Sequence, residues 1–107
     1  MPRNPAFHDK YMALLRCAWQ FQNERVTEFF HEDFDCFRKT IAIATGWCEP
    51  VFNLTTNSWV EQAKSISFGS MGNDEFQELY ERTKDVLYAR FLKHVTIEEF
   101  EQVLINF

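Results

Sequence analysis

An α+β domain, mainly helical, with four helices and one β-hairpin packed on them is predicted by three observations. Four segments repeat apolar residues at helical spacing, and most begin with a side chain able to cap free N–H groups. One stretch between them alternates apolar and polar residues, the period of a strand. The 107 residues suffice for one core and not for two, so the domain spans residues 1–107 as a single unit. Aromatic residues make up 17% of the chain, twelve of them Phe, which predicts a core built mainly of rings.

The first helix is predicted over residues 5–22. Asn4 suits a cap and Pro5 the first helical position, where a missing N–H is no loss, and Phe7, Tyr11, Leu15, Ala18 and Trp19 share one face. Asn23, Glu24 and Arg25 form a polar break. Phe30, Phe34, Phe37, Ile41 and Ala44 then step by four, three, four and three, predicting one buried helical stripe that Gly46 stops. From Trp47 to Phe68 the period changes. Val60, Gln62, Lys64, Ile66 and Phe68 alternate with Glu61, Ala63, Ser65 and Ser67, so this region reads as a hairpin, with Pro50 on an edge strand and a loop longer than two residues.

The third helix carries Phe76, Leu79, Tyr80, Thr83, Leu87 and Phe91 on one face, is capped by Ser70 or Asn73, and is predicted to end near Lys93. Before it, Gly69 and Gly72 supply conformational freedom. A short final helix opens on the capping box Thr96-Ile97-Glu98-Glu99, with Val95 and Phe100 placed as a hydrophobic staple.

Composition excludes several function classes. Eleven basic residues against sixteen acidic ones leave a net charge of -5, and after residue 53 the balance is five to nine. Duplex binding draws on a basic patch that displaces counterions, so nucleic acid is not the expected main ligand. Cys17, Cys36 and Cys48 are odd in number and make no C-x-x-C pair, which fits reduced thiols and a cytoplasmic setting. No run of apolar residues is long enough to span a membrane, and the N-terminus carries no signal-peptide pattern.

No motif calls for a cofactor or a catalytic constellation, and the chain is read as a non-enzyme. Lys64 precedes Gly69 and Gly72 where a phosphate loop has its lysine after the second glycine, so the segment 64–76 reads as a strand-to-helix turn, with backbone capture of an anion as the other option. His31-Glu32-Asp33-Phe34-Asp35-Cys36 imitates a zinc motif but replaces its second histidine by Asp35. His31, Asp35 and Lys39 instead fit a solvent-facing charge ladder on the second helix.

Asp74, Glu78, Glu81 and Asp85 step by four, three and four and line one face of the third helix. Such a face is either solvated, with Arg82 and Lys84 neutralising part of it, or a surface that selects a basic partner. Trp47, Trp59 and Phe107 lie at element edges, where a ring serves either the rim of the core or a partner, and Trp59 joins the four carboxylates as the candidate partner-binding set. If nucleic acid were contacted directly, Arg38, Lys39 and Lys64 would be the residues to do it.

Residues 3–15, RNPAFHDKYMALL, and 64–87, KSISFGSMGNDEFQELYERTKDVL, together resemble a phage and prophage protein family of unknown function. Its members open a helix with Arg-Asn-Pro-x-Phe-His and carry a Lys-Ser-Ile-Ser-Phe strand, a small-residue turn, a Met and an acidic helix start. They are also longer, with an N-terminal extension and more helical sequence between the two segments. The resemblance implies phage origin and work in a bacterial host's cytoplasm among replication and recombination genes, and it implies no catalytic residues. The expected function is a small non-enzymatic protein that binds and modulates a host or phage protein, such as a nucleic-acid-handling or defence complex. An accessory DNA-binding factor is the alternative, and a homodimer a further partner option.

Overall fold

The computed structural model describes residues 4–107, so Arg3, which opens the first of the two segments above, lies outside the described residues. The elements run α1 (Pro5–Gln20), α2 (Glu24–Phe29), α3 (Phe34–Thr45), β1 (Cys48–Asn53), β2 (Ser58–Ala63), α4 (Asn73–Arg90) and α5 (Ile97–Leu104). The class is mainly helical α+β, with five helices among the described residues in place of the expected four.

The extra helix comes from a break inside the expected second one. Helix α2 begins on the stretch read as a polar break: Asn23 is its N-cap and accepts from the Val26 N–H. It ends at once, because His31 and Glu32 both take left-handed backbone, at φ 58° and 55°. The Glu32 N–H reaches back to the Thr27 carbonyl at 2.7 Å and the His31 N–H to that of Glu28 at 2.9 Å, which satisfies carbonyls a helix end would leave open. Asp33 then caps α3 by accepting from the Asp35 N–H at 2.9 Å. His31 is thus a connector residue, and the expected ladder keeps only its Asp35 to Lys39 rung at 3.2 Å.

Helix α1 forms as expected, with Asn4 accepting from the Phe7 N–H and Pro5 in the first turn, and it stops two residues early. At the end of α3, Gly46 adopts φ 89°, a left-handed value that suits glycine, and the Trp47 N–H donates to the Ala42 carbonyl. The stripe ahead of it needs one correction, since Ala44 is exposed and Ala42 and Thr45 are buried instead.

Rings do fill the core. Phe37 is fully buried, with ring centroids of Trp19, Phe91 and Phe30 at 4.9, 5.1 and 5.5 Å, so it joins α1, α2, α3 and the end of α4. A second group stacks Phe7 on Phe76 at 4.2 Å and sets Phe68 against Tyr11, Trp47 and Phe76. The Tyr11 hydroxyl is buried beside Thr83 without completing a hydrogen bond, Thr83 donating instead to the Leu79 carbonyl. Burial pushes its pKa up to about 12, with Arg38 pulling the other way.

The segment before α4 turns the chain. The Asn4 N–H donates to the Ser67 carbonyl, the Trp47 indole N–H to that of Ser65, and the Lys64 ammonium sits 5.1 Å from the Trp47 ring centroid. The unusual dihedral falls on neither Gly69 nor Gly72: Phe68 takes it, at φ 54°, and is held there by burial among three rings. The N-cap of α4 is Gly72, without a side-chain bond, so neither Ser70 nor Asn73 caps it, and α4 ends at Arg90.

Thr96 caps α5 by accepting from the Glu99 N–H, and Phe100 is fully buried against Phe21 and Tyr88. Glu101 accepts from the Tyr88 hydroxyl at 2.9 Å and pairs with the Lys84 ammonium at 3.0 Å, clamping α5 to α4. Those two contacts hold the Glu101 carboxyl below its usual 4.5. Partial burial pulls Lys84 down, but its bond to Glu101 more than reverses this and leaves it raised. A lowered carboxyl stabilises the fold above its unfolded pKa and loses that contribution as pH falls through the folded value. A raised lysine contributes below its unfolded pKa and fails only in strong base, so the clamp holds across neutral pH. Glu101→Gln is expected to flatten the acid limb of thermal unfolding followed from pH about 3 to about 7, by less than about 1 kcal/mol because water screens the pair.

The hairpin packs on the helices through its root, where β2 meets α3, and beyond the root both of its faces are exposed over most of their length. The chain measures 44 × 35 × 19 Å with a radius of gyration of 14.7 Å, against about 13 Å for a compact domain of this length.

Candidate functional site

The arm is built from six residue pairs, Cys48 opposite Ala63 at the root and Asn53 opposite Ser58 at the tip. Residues 54–57 close it. Asn53 accepts from the Thr55 and Thr56 N–H groups at 2.8 and 3.2 Å, and Asn57 supplies the left-handed dihedral at φ 57°. Asn53, which formally opens a glycosylation sequon, is therefore the residue that shapes the turn. Pro50 lies on β1 as expected, and with only two strands each has a free edge.

Register decides what the arm presents. Phe52 stands opposite Trp59, so both rings leave the same face, and they meet edge to face at 5.3 Å. Val51 and Val60 form the matching pair on the other face. Trp59 is 68% exposed and Leu54, at the tip, 85%. The Phe52–Trp59 pair lies about 14 Å from the root along the strand, at 3.4 Å per residue. Phe52, Leu54 and Trp59 thus gather exposed apolar side chains at the outer end of the arm.

Of the three edge aromatics, Trp47 is half-buried against Phe68 and serves the core, Phe107 is partly exposed, and Trp59 is the freely presented one. Phe52 and Leu54 escape sequence reasoning. Phe52 is an apolar side chain in an edge strand whose partner is visible only once the register is known, and Leu54 is an apolar residue in the turn beside it.

Asp74, Glu78, Glu81 and Asp85 are all exposed on α4. Glu78 pairs with Arg82 one turn on, and Glu81 accepts from the Gln77 amide at 3.0 Å. Glu75, Glu78 and Arg82 also line a shallow cleft of about 180 Å³ whose other wall is Thr45, Gly46 and Trp47, at the root of the arm. The acidic helix thus borders the base of the arm, while Trp59 stands further out. A carboxylate row here attracts a basic surface and repels a phosphate backbone.

Of the basic residues of the nucleic-acid alternative, Lys39 and Lys64 are exposed and Arg38 is buried. Arg38 is only 8% exposed, its guanidinium donating twice to Asp35 at 2.8 and 2.9 Å. Those bonds keep the Asp35 carboxyl below its usual range. Lys39 pairs with the same carboxylate, and Lys64 covers Trp47.

Burial raises the Cys17 thiol to about 11, with Glu101 adding to it, so Cys17 stays protonated and packs as an apolar side chain. Among the described residues no three His, Cys, Asp or Glu side chains come close enough together to hold a metal ion, and His31 lies in the connector before α3 while Asp35 lies on α3. Nor is any helix among them long and apolar enough to cross a membrane.

A family model described as a protein of unknown function, DUF1367, matches residues 19–106, most of the chain. The chain belongs to that family. The match begins at Trp19, after the first of the two segments that carried the resemblance, and takes in the second, as well as the arm and the acidic helix of this DUF1367 chain. No curated protein and no solved structure matches it.

Proposed function

We propose that this DUF1367 chain is a small non-enzymatic binding protein of phage or prophage origin. It acts in the cytoplasm of a bacterial host by capturing and modulating another protein, one that handles nucleic acid or serves defence. The observation that carries this reading is the exposed Phe52–Trp59 pair on an arm that meets α3 only at its root. An isolated two-stranded hairpin is marginal in water, and a partner that covers the arm gains its apolar area and offsets the cost of ordering it. The carboxylates of α4 add the second element, steering a basic partner to the root of the arm and rejecting acidic ones.

The test is capture of the partner from the bacterial host by the tagged protein, with and without nuclease, read by mass spectrometry. A stoichiometric protein that survives nuclease is expected. Replacing Glu78 and Glu81 together by Lys is expected to reduce its recovery about tenfold, more at low salt than at high, because the change acts through exposed charge. Recovery unchanged by the reversal removes the acidic face from the reading. Partners lost on nuclease treatment would replace it by direct contact with DNA.

A further inference from the structure

The opposite end of α4 carries a different surface. Helix α2, α3 and the last turn of α4 form an open cleft of about 540 Å³, floored by Val26, Phe30 and Phe91, rimmed by Phe29 and flanked by Arg25 and Arg90. Phe29 is 76% exposed, its ring edge to face with that of Phe30 at 5.1 Å. A smaller hollow of about 90 Å³ shares Thr40, Arg90 and Phe91 with it and extends it along the α3–α4 seam, so the depression is elongated. Neither arginine has a carboxylate within ion-pair distance among the described residues, in a chain of net charge -5.

We infer that this cleft docks an acidic peptide segment of a partner protein, whose large apolar side chains enter beside Phe29 and Phe91 while its carboxylates meet Arg25 and Arg90. The charge fits. Arginine presents a planar fork that pairs with carboxylates two bonds at a time, and an apolar floor excludes the water that would otherwise screen them. The shape fits as well, because an elongated groove takes successive side chains of one segment where a closed cavity would take a compact ligand. Single-stranded nucleic acid would also offer anions and rings, but it needs cations tracking its backbone. Two arginines do not make such a track. Arg90 lies sixteen residues from Asp74 and five from Asp85, about 24 and about 8 Å along the helix at 1.5 Å per residue, so the cleft sits at the end of α4 away from the arm and its failure would leave the arm's role standing.

The experiment is a titration of the ¹⁵N-labelled full chain with the capped peptide Asp-Glu-Leu-Phe-Glu-Leu-Asp, followed by amide and arginine side-chain shifts. Saturable shifts confined to Val26, Phe29, Phe91 and the two arginines are expected, absent when lysines replace the acidic residues of the peptide. R25E combined with R90E is expected to weaken binding about tenfold or more, and Phe29→Ala comparably. All three positions are exposed or rim the cleft, so the variants retain the fold, which their spectra verify. No localised shift at millimolar peptide, equal shifts from the lysine peptide, or shifts centred on the arm would overturn the assignment. So would equal binding of hexanoate, which would make the cleft a small-acid site, or of a short poly-thymidine strand, which would make it a nucleic-acid site.

Discussion

Phe37→Ala is expected to lower the free energy of unfolding by about 4 kcal/mol, the largest loss of stability from any single truncation considered for this chain. The side chain is fully exposed in the unfolded state and fully buried in the folded one, where three rings on three other elements surround it. Truncation removes the transfer term, leaves a cavity that Trp19, Phe30 and Phe91 cannot all close, and deletes edge-to-face contacts worth about 0.5–1.5 kcal/mol each. A domain of this length holds roughly 5–15 kcal/mol in total, so the variant approaches the limit of folding. Urea unfolding reads the effect as a lower midpoint at an unchanged slope. Phe37→Leu, which keeps most of the volume, should lose about 1.5 kcal/mol or less. A loss under about 1 kcal/mol for the alanine variant would mean that the four helical elements are not held together at this residue.

How much of this was readable beforehand depends on whether a residue's role is set locally. The caps of α1 and α5 were, because Asn4-Pro5 and Thr96 satisfy their own helix's N–H groups whatever the rest of the chain does. The break at His31 and Glu32 was not, since left-handed backbone there involves no glycine and rests on carbonyls that only the folded α2 presents. The acidic face of α4 follows from helical period alone. Arg38 is less available than its charge alone implies: Phe34, Phe37, Arg38, Ile41, Ala42 and Thr45 fall on one side of α3, so its stem is buried while its guanidinium reaches back to Asp35.

The arm shows the opposite limit. Its strands and turn are local, yet the alternation from Val60 to Phe68 forms strand only as far as Ala63, and alternation implies a buried face only where a second layer exists to bury it. Here none does, and the exposed rings on one face and valines on the other look in sequence like a core strand. Pairing of Phe52 with Trp59 depends on a loop of four residues, a length that no local rule supplied.

That pairing sets the second large effect. Trp59→Ala is expected to weaken partner capture by about 30- to 1,000-fold, the range of an aromatic hot spot losing about 2–4 kcal/mol. Its fold should hardly notice. With Trp59 68% exposed, removal forfeits one cross-strand contact on the arm, roughly 0.2–1 kcal/mol, and leaves the helical core untouched. Phe52→Ala should behave alike, and because the two rings touch, the double variant should lose less than the sum of the singles. Titration of the captured partner against each variant, with thermal unfolding beside it, separates the cases. If affinity survives both truncations, the arm is not the contact surface. If affinity and melting temperature fall together, Trp59 supports the fold and its exposure carries no functional meaning. Only loss of affinity at constant stability, non-additive between Phe52 and Trp59 and restored in part by Trp59→Phe, identifies the ring pair as one anchor set into one pocket of the partner.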